Sequence, residues 1–256
     1  MKTLAQCHRL QGNLDSAARL WTEGLQLARD IRSRDQEAGF LLGMVRLSIA
    51  QDQVDQARKS LSQVESLLRG SSSRDRAEAL LQGARLDYNQ GLYRQALARA
   101  EEGGAIAQEL DDMELSAVSL RVCADCLEMV GMDRDAGRLV MEAEGIQRAQ
   151  AGQISLVTVE TPTARRCAHA LRQAWDHHEA GRSEYGSSLL EDPIQECGDH
   201  SRGLAVQLAI AAAQILGDSE SRSRAKTLLG PILEGLTPEL RASLIAREDV
   251  APILEA

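Results

Sequence analysis

Gly91-Leu-Tyr-Arg-Gln-Ala96-Leu-Ala-Arg-Ala100 is the stretch that decides the fold, because its pattern of small and bulky residues recurs along the chain. The matching small residues recur at intervals of 40, 39 and 40 residues, at Ala17, Ala57, Ala96 and Ala136. A fifth unit follows around Gly186 after a longer interval, and a sixth, looser unit places Ala225 at the same position. Regular self-similarity of this kind is typical of proteins built from stacked helix pairs.

A pair of helices joined by a tight turn explains each part of this pattern. Glycine ends the first helix at Gly12, Gly91 and Gly131, because it adopts a positive φ without a steric clash, and Asp52 holds the same place in the second unit. Five residues later, the small residue lies where the second helix crosses the first most closely. Four residues further, one turn along the same face, a bulky residue such as Trp21 fills the space between the helices. The sequence therefore predicts successive antiparallel helix pairs.

The composition favours an all-helical protein that does not span a membrane. Only 2% of the residues are aromatic, and Leu and Ala, which form helices readily, supply most of the apolar side chains. No apolar run approaches the roughly 20 residues that span a bilayer, and the N-terminus lacks the apolar core of a secretory signal. The net charge of −9 argues against general binding of nucleic acid or of an anionic membrane. Five cysteines, an odd number, favour a reducing cytoplasm over a secreted disulfide framework.

The units resemble tetratricopeptide repeats of a long variety, with about 40 residues per repeat. The resemblance rests on a small residue late in the first helix, a glycine at the turn, an alanine early in the second helix and a bulky residue one turn on. The small residues of the first helices are Ala5, Val45, Ala84, Ala124 and Ala174. The sequence departs from the family because the usual first-helix aromatics are mostly Leu or polar, and because repeats 5 and 6 are irregular. The resemblance implies an all-α fold, a right-handed superhelical solenoid of antiparallel helix pairs.

Four regions follow from the spacing of the units. Residues 1–149 hold four helix pairs, residues 150–163 an irregular insertion, residues 164–236 two degenerate pairs, and residues 237–256 a capping helix and a tail. The alternating, β-branched run 154–160 favours an extended path, either as a loop packed on the convex side or, in function, as a hinge or a strand offered to a partner. Pro162 is expected to begin the next helix. Because the first helix is short and uncapped, we expect the chain to be the C-terminal part of a larger scaffold; the alternative is a helix that simply begins at Met1.

Motifs for catalysis or for cofactor binding are not found in the sequence. There is no glycine-rich phosphate loop, metalloprotease helix motif, calcium loop or nucleophile elbow. Cys123 and Cys126 have CxxC spacing, but no second CxxC completes a zinc site, and we interpret them as thiols buried in an amphipathic helix. His177 and His178 point about 100° apart on a helix and cannot face one metal ion. The sequence predicts a protein that is not an enzyme and that holds no metal or cofactor.

The family resemblance implies a ligand groove lined by fixed positions of the first helices. The residues that we expect to bind a partner are Leu42, Arg46, Ile49, Leu81, Arg85, Tyr88, Asn89, Arg121, Asp125, Trp175 and His178. The same stripe is extended by Lys2, Gln6, Arg9, Glu128, Met129 and Leu171. Arg46 and Arg85 would form a basic ladder flanked by apolar side chains, an arrangement that suits carboxylates. The alternative is that these residues are solvated or pair internally, for example Arg121 with Asp125.

We therefore expect a non-catalytic protein-interaction module, part of a signalling or assembly scaffold, that binds a segment with acidic and apolar residues. The source of this segment stays open: a linear peptide, a small GTPase, an adaptor or another copy of the chain. The alternative function is the ligand-sensing or peptide-sensing half of a bacterial-type regulator. Neither binding of nucleic acid nor insertion into a membrane is expected.

Overall fold

A computed structural model describes residues 1–149, 161–197 and 201–255. Within these ranges every regular element is an α-helix, and none of the helices is long and apolar enough to cross a bilayer. The helices are α1 (Lys2–Leu10), α2 (Leu14–Asp30), α3 (Arg34–Ala50), α4 (Val54–Leu67), α5 (Arg74–Asn89), α6 (Tyr93–Glu109), α7 (Met113–Met129), α8 (Asp133–Ala149), α9 (Pro162–Glu179), α10 (Ser183–Glu196), α11 (Arg202–Leu216), α12 (Ser219–Gly235), α13 (Pro238–Ile245) and α14 (Ala251–Glu255). The prediction of an all-α fold of successive helix pairs is confirmed. The run 154–160, for which an extended path was predicted, lies outside the described residues.

The same backbone turn joins the two helices of each of the first five pairs. Glycines with φ between 74° and 79° form four of these turns, at Gly12, Gly91, Gly131 and Gly181. Asp52 forms the second turn with φ 60°, and the N–H of Gln53 then donates to the carbonyl of Ser48, five residues back, over 2.8 Å. This hydrogen bond satisfies a carbonyl that the end of the helix would otherwise leave free. An aspartate tolerates the positive φ because its side chain is short and polar.

The small residues of the repeat lie where the paired helices approach most closely. Ala17, Ala57 and Ala96 are completely buried, and Ala136 is 5% exposed. In the fifth pair, a methyl group added at Gly186 would come within 2.6 Å of the carbonyl oxygen of Ala174 on the facing helix. A larger side chain at these positions would force the helices apart. The close approach of two helices is therefore the physical reason for the repeat.

The described residues form two compact units, and the first comprises Met1–Gly83, Arg99–Leu120 and Glu142–Thr161. In this unit α1 packs on α2, α2 on α3 and α3 on α4. Aromatic side chains fill the space opposite glycines: Trp21 lies against Gly43, and Phe40 lies against Gly24. These contacts stack one helix pair on the next, which buries the apolar face that a single pair would expose.

The second unit comprises Ala84–Ala98, Arg121–Met141 and Pro162–Ala256. Helix α11 lies at its centre, because 10 of its 15 residues are buried and it packs on α9, α10 and α12. Tyr93 and Val130, at the turns of the third and fourth pairs, belong to the same apolar core. At the third turn, a methyl group added to Gly91 would lie 2.5 Å from Cδ1 of Ile232 and 3.2 Å from Cα of Gly203. The turns of these two repeats therefore pack directly against the C-terminal helices.

The C-terminal segment begins as expected and ends differently. Helix α9 starts at Pro162, and the Thr237 hydroxyl accepts a hydrogen bond from the Leu240 N–H over 3.4 Å at the start of α13. The predicted tail is wrong in part, since Ala251–Glu255 form the short helix α14, which packs on α12. The reason is apolar burial: Val250 is completely buried and Ile253 is 3% exposed.

Candidate functional site

Four members of the predicted partner-binding set are buried. Leu42, Ile49, Leu81 and Asn89 are each no more than 5% exposed. The Leu42, Ile49 and Leu81 side chains pack in the interior, as the apolar stripe of a helix in a helix bundle does, and the polar Asn89 is buried as well. They therefore present no open surface to a partner.

Arg46, on α3, is paired with a buried carboxylate on α5. Its Nε donates to Oε1 of Glu78 over 2.7 Å, and its Nη2 contacts the same oxygen. Nε2 of Gln82 donates to this oxygen as well, over 2.8 Å. The Glu78 side chain is only 4% exposed, and the donors offset the cost of burying its charge. The positive charge of Arg46 is therefore neutralised within the protein by Glu78.

Arg9, on α1, brings a second positive charge to the same carboxylate. Its side chain donates a hydrogen bond from Nε to Oε1 of Gln6 over 3.2 Å. Burial lowers the pKa of Arg9, and the charge of Arg46 lowers it further, whereas Glu78 acts in the opposite direction without restoring the ordinary value. Arg9 therefore lies near the ion pair of Arg46 and Glu78, while its own side chain donates to Gln6. We call Arg9, Arg46 and Glu78 the arginine cluster.

The sequence analysis did not single out Glu78, nor its neighbours Arg74 and Gln82 on α5. Glu78 lies four residues from both Arg74 and Gln82, a spacing that brings side chains together on one helix face. Nη1 of Arg74 is 3.8 Å from Oε2 of Glu78, and Arg74 also binds Asp112 over 2.7 Å and Glu114 over 2.9 Å. The spacing was a usable signal for the contacts within α5. The contact with Arg46, 32 residues away, was visible only in the fold.

Arg85 and Asp125 form an ion pair in the second unit. Nη1 of Arg85 is 2.5 Å from Oδ2 of Asp125, and the guanidinium lies 5.4 Å from the centre of the Tyr88 ring. The sequence suggested Arg121 as the partner of Asp125, but Arg121 is exposed and the pair is made across neighbouring repeats. Arg85 and Arg46 are therefore not a free basic ladder, because each is neutralised by a carboxylate.

Tyr88 is bound by the central helix of the second unit. Nε2 of Gln207, on α11, donates to the Tyr88 hydroxyl over 3.3 Å, and the Tyr93 ring lies 5.6 Å from the Tyr88 ring. Burial raises the pKa of Tyr88, and the negative charge of Asp125 raises it further. Helix α11 thus contacts a face that the family resemblance assigned to a ligand.

Trp175 and His178 lie side by side on α9. Their ring centroids are 5.5 Å apart in an edge-to-face arrangement, and Nδ1 of His178 is 2.9 Å from the Ser183 hydroxyl. Trp175 also lines a cavity of about 200 Å³, together with Met129, Leu171, Gln207, Ile210, Ala211, Gln214, Arg247 and Asp249. Of the predicted set, Trp175 is the member with both an aromatic face and access to open space.

Arg247 joins the C-terminal segment to the end of α7, a contact that the sequence analysis missed. Its Nη1 donates to the backbone carbonyls of Glu128 and Met129 over 3.1 and 2.8 Å, where the dipole of α7 favours a positive charge. Its Nε and Nη2 donate to the two carboxylate oxygens of Asp249 over 2.8 and 2.7 Å. A cavity of about 690 Å³ borders on this group and on Asp133. All three nitrogens of the Arg247 guanidinium therefore donate hydrogen bonds to other groups of the protein.

The described residues contain no group of three or more His, Cys, Asp and Glu side chains that could hold a metal ion. Cys123 and Cys126 are buried, as expected. Burial raises the pKa of the Cys126 thiol, and the neighbouring Cys123 and Asp125 raise it further. A buried, protonated thiol is a poor nucleophile and a poor metal ligand.

No protein-family model matches the chain, and no curated protein matches it significantly.

Proposed function

We propose that this chain is a non-catalytic protein-interaction module that binds a partner segment rich in acidic and apolar residues at the arginine cluster. The observation that supports the proposal is the position of Arg9 near the ion pair of Arg46 and Glu78, with its own side chain bonded to the neutral Gln6. A carboxylate from a partner would pair with the Arg9 guanidinium, which can hold it with two parallel hydrogen bonds. The recurrence of the helix pairs supports membership of the tetratricopeptide repeats and a role in an assembly scaffold. The odd number of cysteines, most of them buried, supports a cytoplasmic location.

The contacts decide which arginine tests this proposal. Charge reversal of Arg46 or Arg85 would place a second carboxylate beside Glu78 or Asp125, and the repulsion would lower stability as well as binding. Among the residues that the structure describes, no carboxylate forms an ion pair with Arg9, so Arg9→Gln removes the charge and leaves the ion pair of Arg46 in place. Arg121→Gln is the matched control, because Arg121 is an exposed arginine on a first helix.

Selection from a random library of peptides displayed on phage, with the whole chain as bait, identifies the segment that binds. We expect the enriched peptides to carry Asp or Glu beside Leu, Ile or aromatic residues. Arg9→Gln should weaken their binding by about ten-fold to a hundred-fold, which is the range for one hydrogen bond between charged groups. Arg121→Gln should leave the affinity unchanged, and thermal unfolding should show that both variants are folded. Enriched peptides without carboxylates, or equal affinity for wild type and Arg9→Gln, would show that the cluster is purely structural.

A further inference from the structure

Two cysteines lie in contact between the helices of the fifth pair. Sγ of Cys167, on α9, is 3.3 Å from Sγ of Cys197, which directly follows the last residue of α10. Both side chains belong to the apolar core of the second unit, where Cys167 is 4% and Cys197 2% exposed. The two residues are 30 positions apart along the chain, so the packing of α9 on α10 brings their sulfur atoms together.

A neighbouring ion pair joins the same two helix ends. Arg166 precedes Cys167, Glu196 precedes Cys197, and Nε of Arg166 is 3.4 Å from Oε2 of Glu196. Both side chains of this ion pair are more than half exposed, so it adds little stability. Its value is geometric, because two contacts at successive positions indicate that the start of α9 and the end of α10 lie side by side.

The two sulfur atoms need a small movement to form a covalent bond. A disulfide has a sulfur–sulfur distance of about 2.05 Å, which is about 1.3 Å shorter than the present contact. Small changes in the side-chain torsions can supply this shift. The hydrogen bond with Cys167 and burial both raise the pKa of the Cys197 thiol, so the pair is protonated and slow to react while the end of α10 stays closed.

The last turn of α10 is the part of this helix that opens most readily. Pro193 lies inside the helix and lacks the N–H that would donate to the carbonyl of Leu189, four residues back. The N–H of Cys197 donates to the carbonyl of Pro193 over 3.1 Å, and this hydrogen bond breaks when the last turn frays. Because the ends of helices open at low cost, an oxidant reaches Cys197 before it reaches Cys167.

We propose that Cys167 and Cys197 form a reversible disulfide that joins α9 to α10 when the protein meets a peroxide. The Cys197 thiolate attacks one oxygen of hydrogen peroxide, the O–O bond breaks, and the products are a sulfenic acid on Cys197 and one water molecule. Sγ of Cys167 then attacks the sulfur of the sulfenic acid, the S–S bond forms, and the hydroxyl leaves as a second water molecule. The two thiols thus lose two electrons and two protons, which reduce one peroxide to two water molecules. This inference does not depend on the function proposed for the arginine cluster.

The bond links the two helices of the pair that carries Trp175 and His178. Cys123 and Cys126 provide a contrast, since they are three residues apart on α7 and a bond between them would span a single turn of one helix. A disulfide restricts the unfolded chain more strongly when it closes a longer loop. The bond between Cys167 and Cys197 should therefore raise the Tm of the second unit by about 5–15 °C.

The test uses the whole chain with Cys7→Ser, which removes the exposed thiol and prevents links between chains. The protein is treated with hydrogen peroxide, the remaining thiols are alkylated in denaturant, and tryptic peptides are analysed by mass spectrometry before and after reduction. Trypsin cleaves after arginine, so Cys167 lies in the peptide 167–172 and Cys197 in the peptide 183–202. We expect these two peptides to be joined, with a mass two hydrogens below their sum.

The melting temperature supplies the second measurement. Peroxide should raise the Tm, and dithiothreitol should remove both the link and the shift. Cys197→Ala should abolish both effects, whereas the matched control Cys126→Ala, which removes another buried thiol, should keep them. Complete alkylation of Cys167 and Cys197 after peroxide treatment would overturn the proposal, and so would a linked chain whose Tm is unchanged. The peptide measurement is made with both cysteines present, so it does not depend on the folding of Cys197→Ala.

Discussion

Replacement of Gly91 by alanine tests the packing of the C-terminal helices against the third repeat. Gly91 has φ 78°, and an added methyl group would meet Ile232 at 2.5 and 2.8 Å and the backbone of Gly203 at 3.2 Å. Gly12 has nearly the same φ, 79°, but an added methyl group there meets nothing within 4 Å. The pair Gly91→Ala and Gly12→Ala therefore separates backbone strain from steric overlap.

The expected magnitudes differ because only one of the two sites is crowded. A positive φ costs an alanine roughly 1–2 kcal/mol, and the smaller entropy of the unfolded alanine chain offsets about 0.4–1 kcal/mol of this. Gly12→Ala should therefore lower the free energy of unfolding by about 1 kcal/mol. Overpacking adds about 1–3 kcal/mol at Gly91, which gives a total loss of about 2–4 kcal/mol.

The two tryptophans provide an assay for each unit. Trp21 lies in the first unit with Gly12, and Trp175 lies in the second unit with Gly91. Urea unfolding is followed by fluorescence in Trp175→Phe and Trp21→Phe backgrounds, so that each curve reports one unit. We expect Gly12→Ala to shift the Trp21 transition slightly and Gly91→Ala to shift the Trp175 transition strongly. Adding Ile232→Val to Gly91→Ala should recover part of the loss, because it removes one of the overlapping groups.

Equal losses for Gly91→Ala and Gly12→Ala would refute this reasoning. They would mean that Ile232 and Gly203 do not lie against the third turn in solution, and that α11 and α12 pack elsewhere. A shift of the Trp21 transition by Gly91→Ala, with no shift of the Trp175 transition, would refute the division into these two units.

Two further predictions concern the second unit. Burial raises the pKa of Tyr93 above the value of about 10 that it has in the unfolded chain, so the unfolded state loses its proton first and the free energy of unfolding falls as the pH rises above about 10. Tyr93→Phe should make this fall shallower by up to about 1.4 kcal/mol per pH unit in urea titrations from pH 8 to 11, and an unchanged slope would show that the hydroxyl is solvated. Arg247→Met removes donors from two backbone carbonyls and should lower the free energy of unfolding by about 2–3 kcal/mol and speed proteolysis of α13 and α14, whereas Arg241→Met, at an exposed arginine of α13, should do neither. Equal proteolysis of the two arginine variants would contradict the role of Arg247.

The helix pairs could be predicted from the sequence because their determinants are local. The turn needs a positive φ, and the crossing of two helices needs a small side chain five residues later, so spacing alone located Ala57 and Ala96. Asp52 in place of a glycine did not obscure the pattern, since its neighbours kept the interval. The repeat pattern reflects contacts between adjacent helices, and these are the contacts that the sequence predicted correctly.

The pairing of charges could not be predicted in the same way. The position shared by Arg46, Arg85 and Asp125 was located correctly on the first helices, but their partners depend on which side chains neighbouring helices bring close. Glu78 binds Arg46 from 32 residues away, a separation that no helical spacing describes. The prediction of a basic ladder from these arginines therefore overestimated the positive charge that is free to bind a partner.

The central position of α11 had a signal in the sequence that the repeat pattern masked. The run Leu204–Ala213 contains one polar residue, Gln207, and a helix that is apolar all round is buried on all sides. Reading α11 only as the first helix of a degenerate sixth pair missed its contacts with Tyr88 and Gly91. Those contacts join residues more than 100 positions apart, and only the folded chain reveals them.

The interleaving of the two units along the chain has a consequence for synthesis on the ribosome. The third and fourth turns, with Tyr93 and Val130, emerge before α9–α14, which complete their apolar core. At about 5–20 residues per second, the roughly one hundred residues after α8 take on the order of 5–20 s to be translated. During this interval the nascent chain exposes an unfinished core, so chaperones should engage it after the fourth helix pair has appeared and release it once α11 has been added.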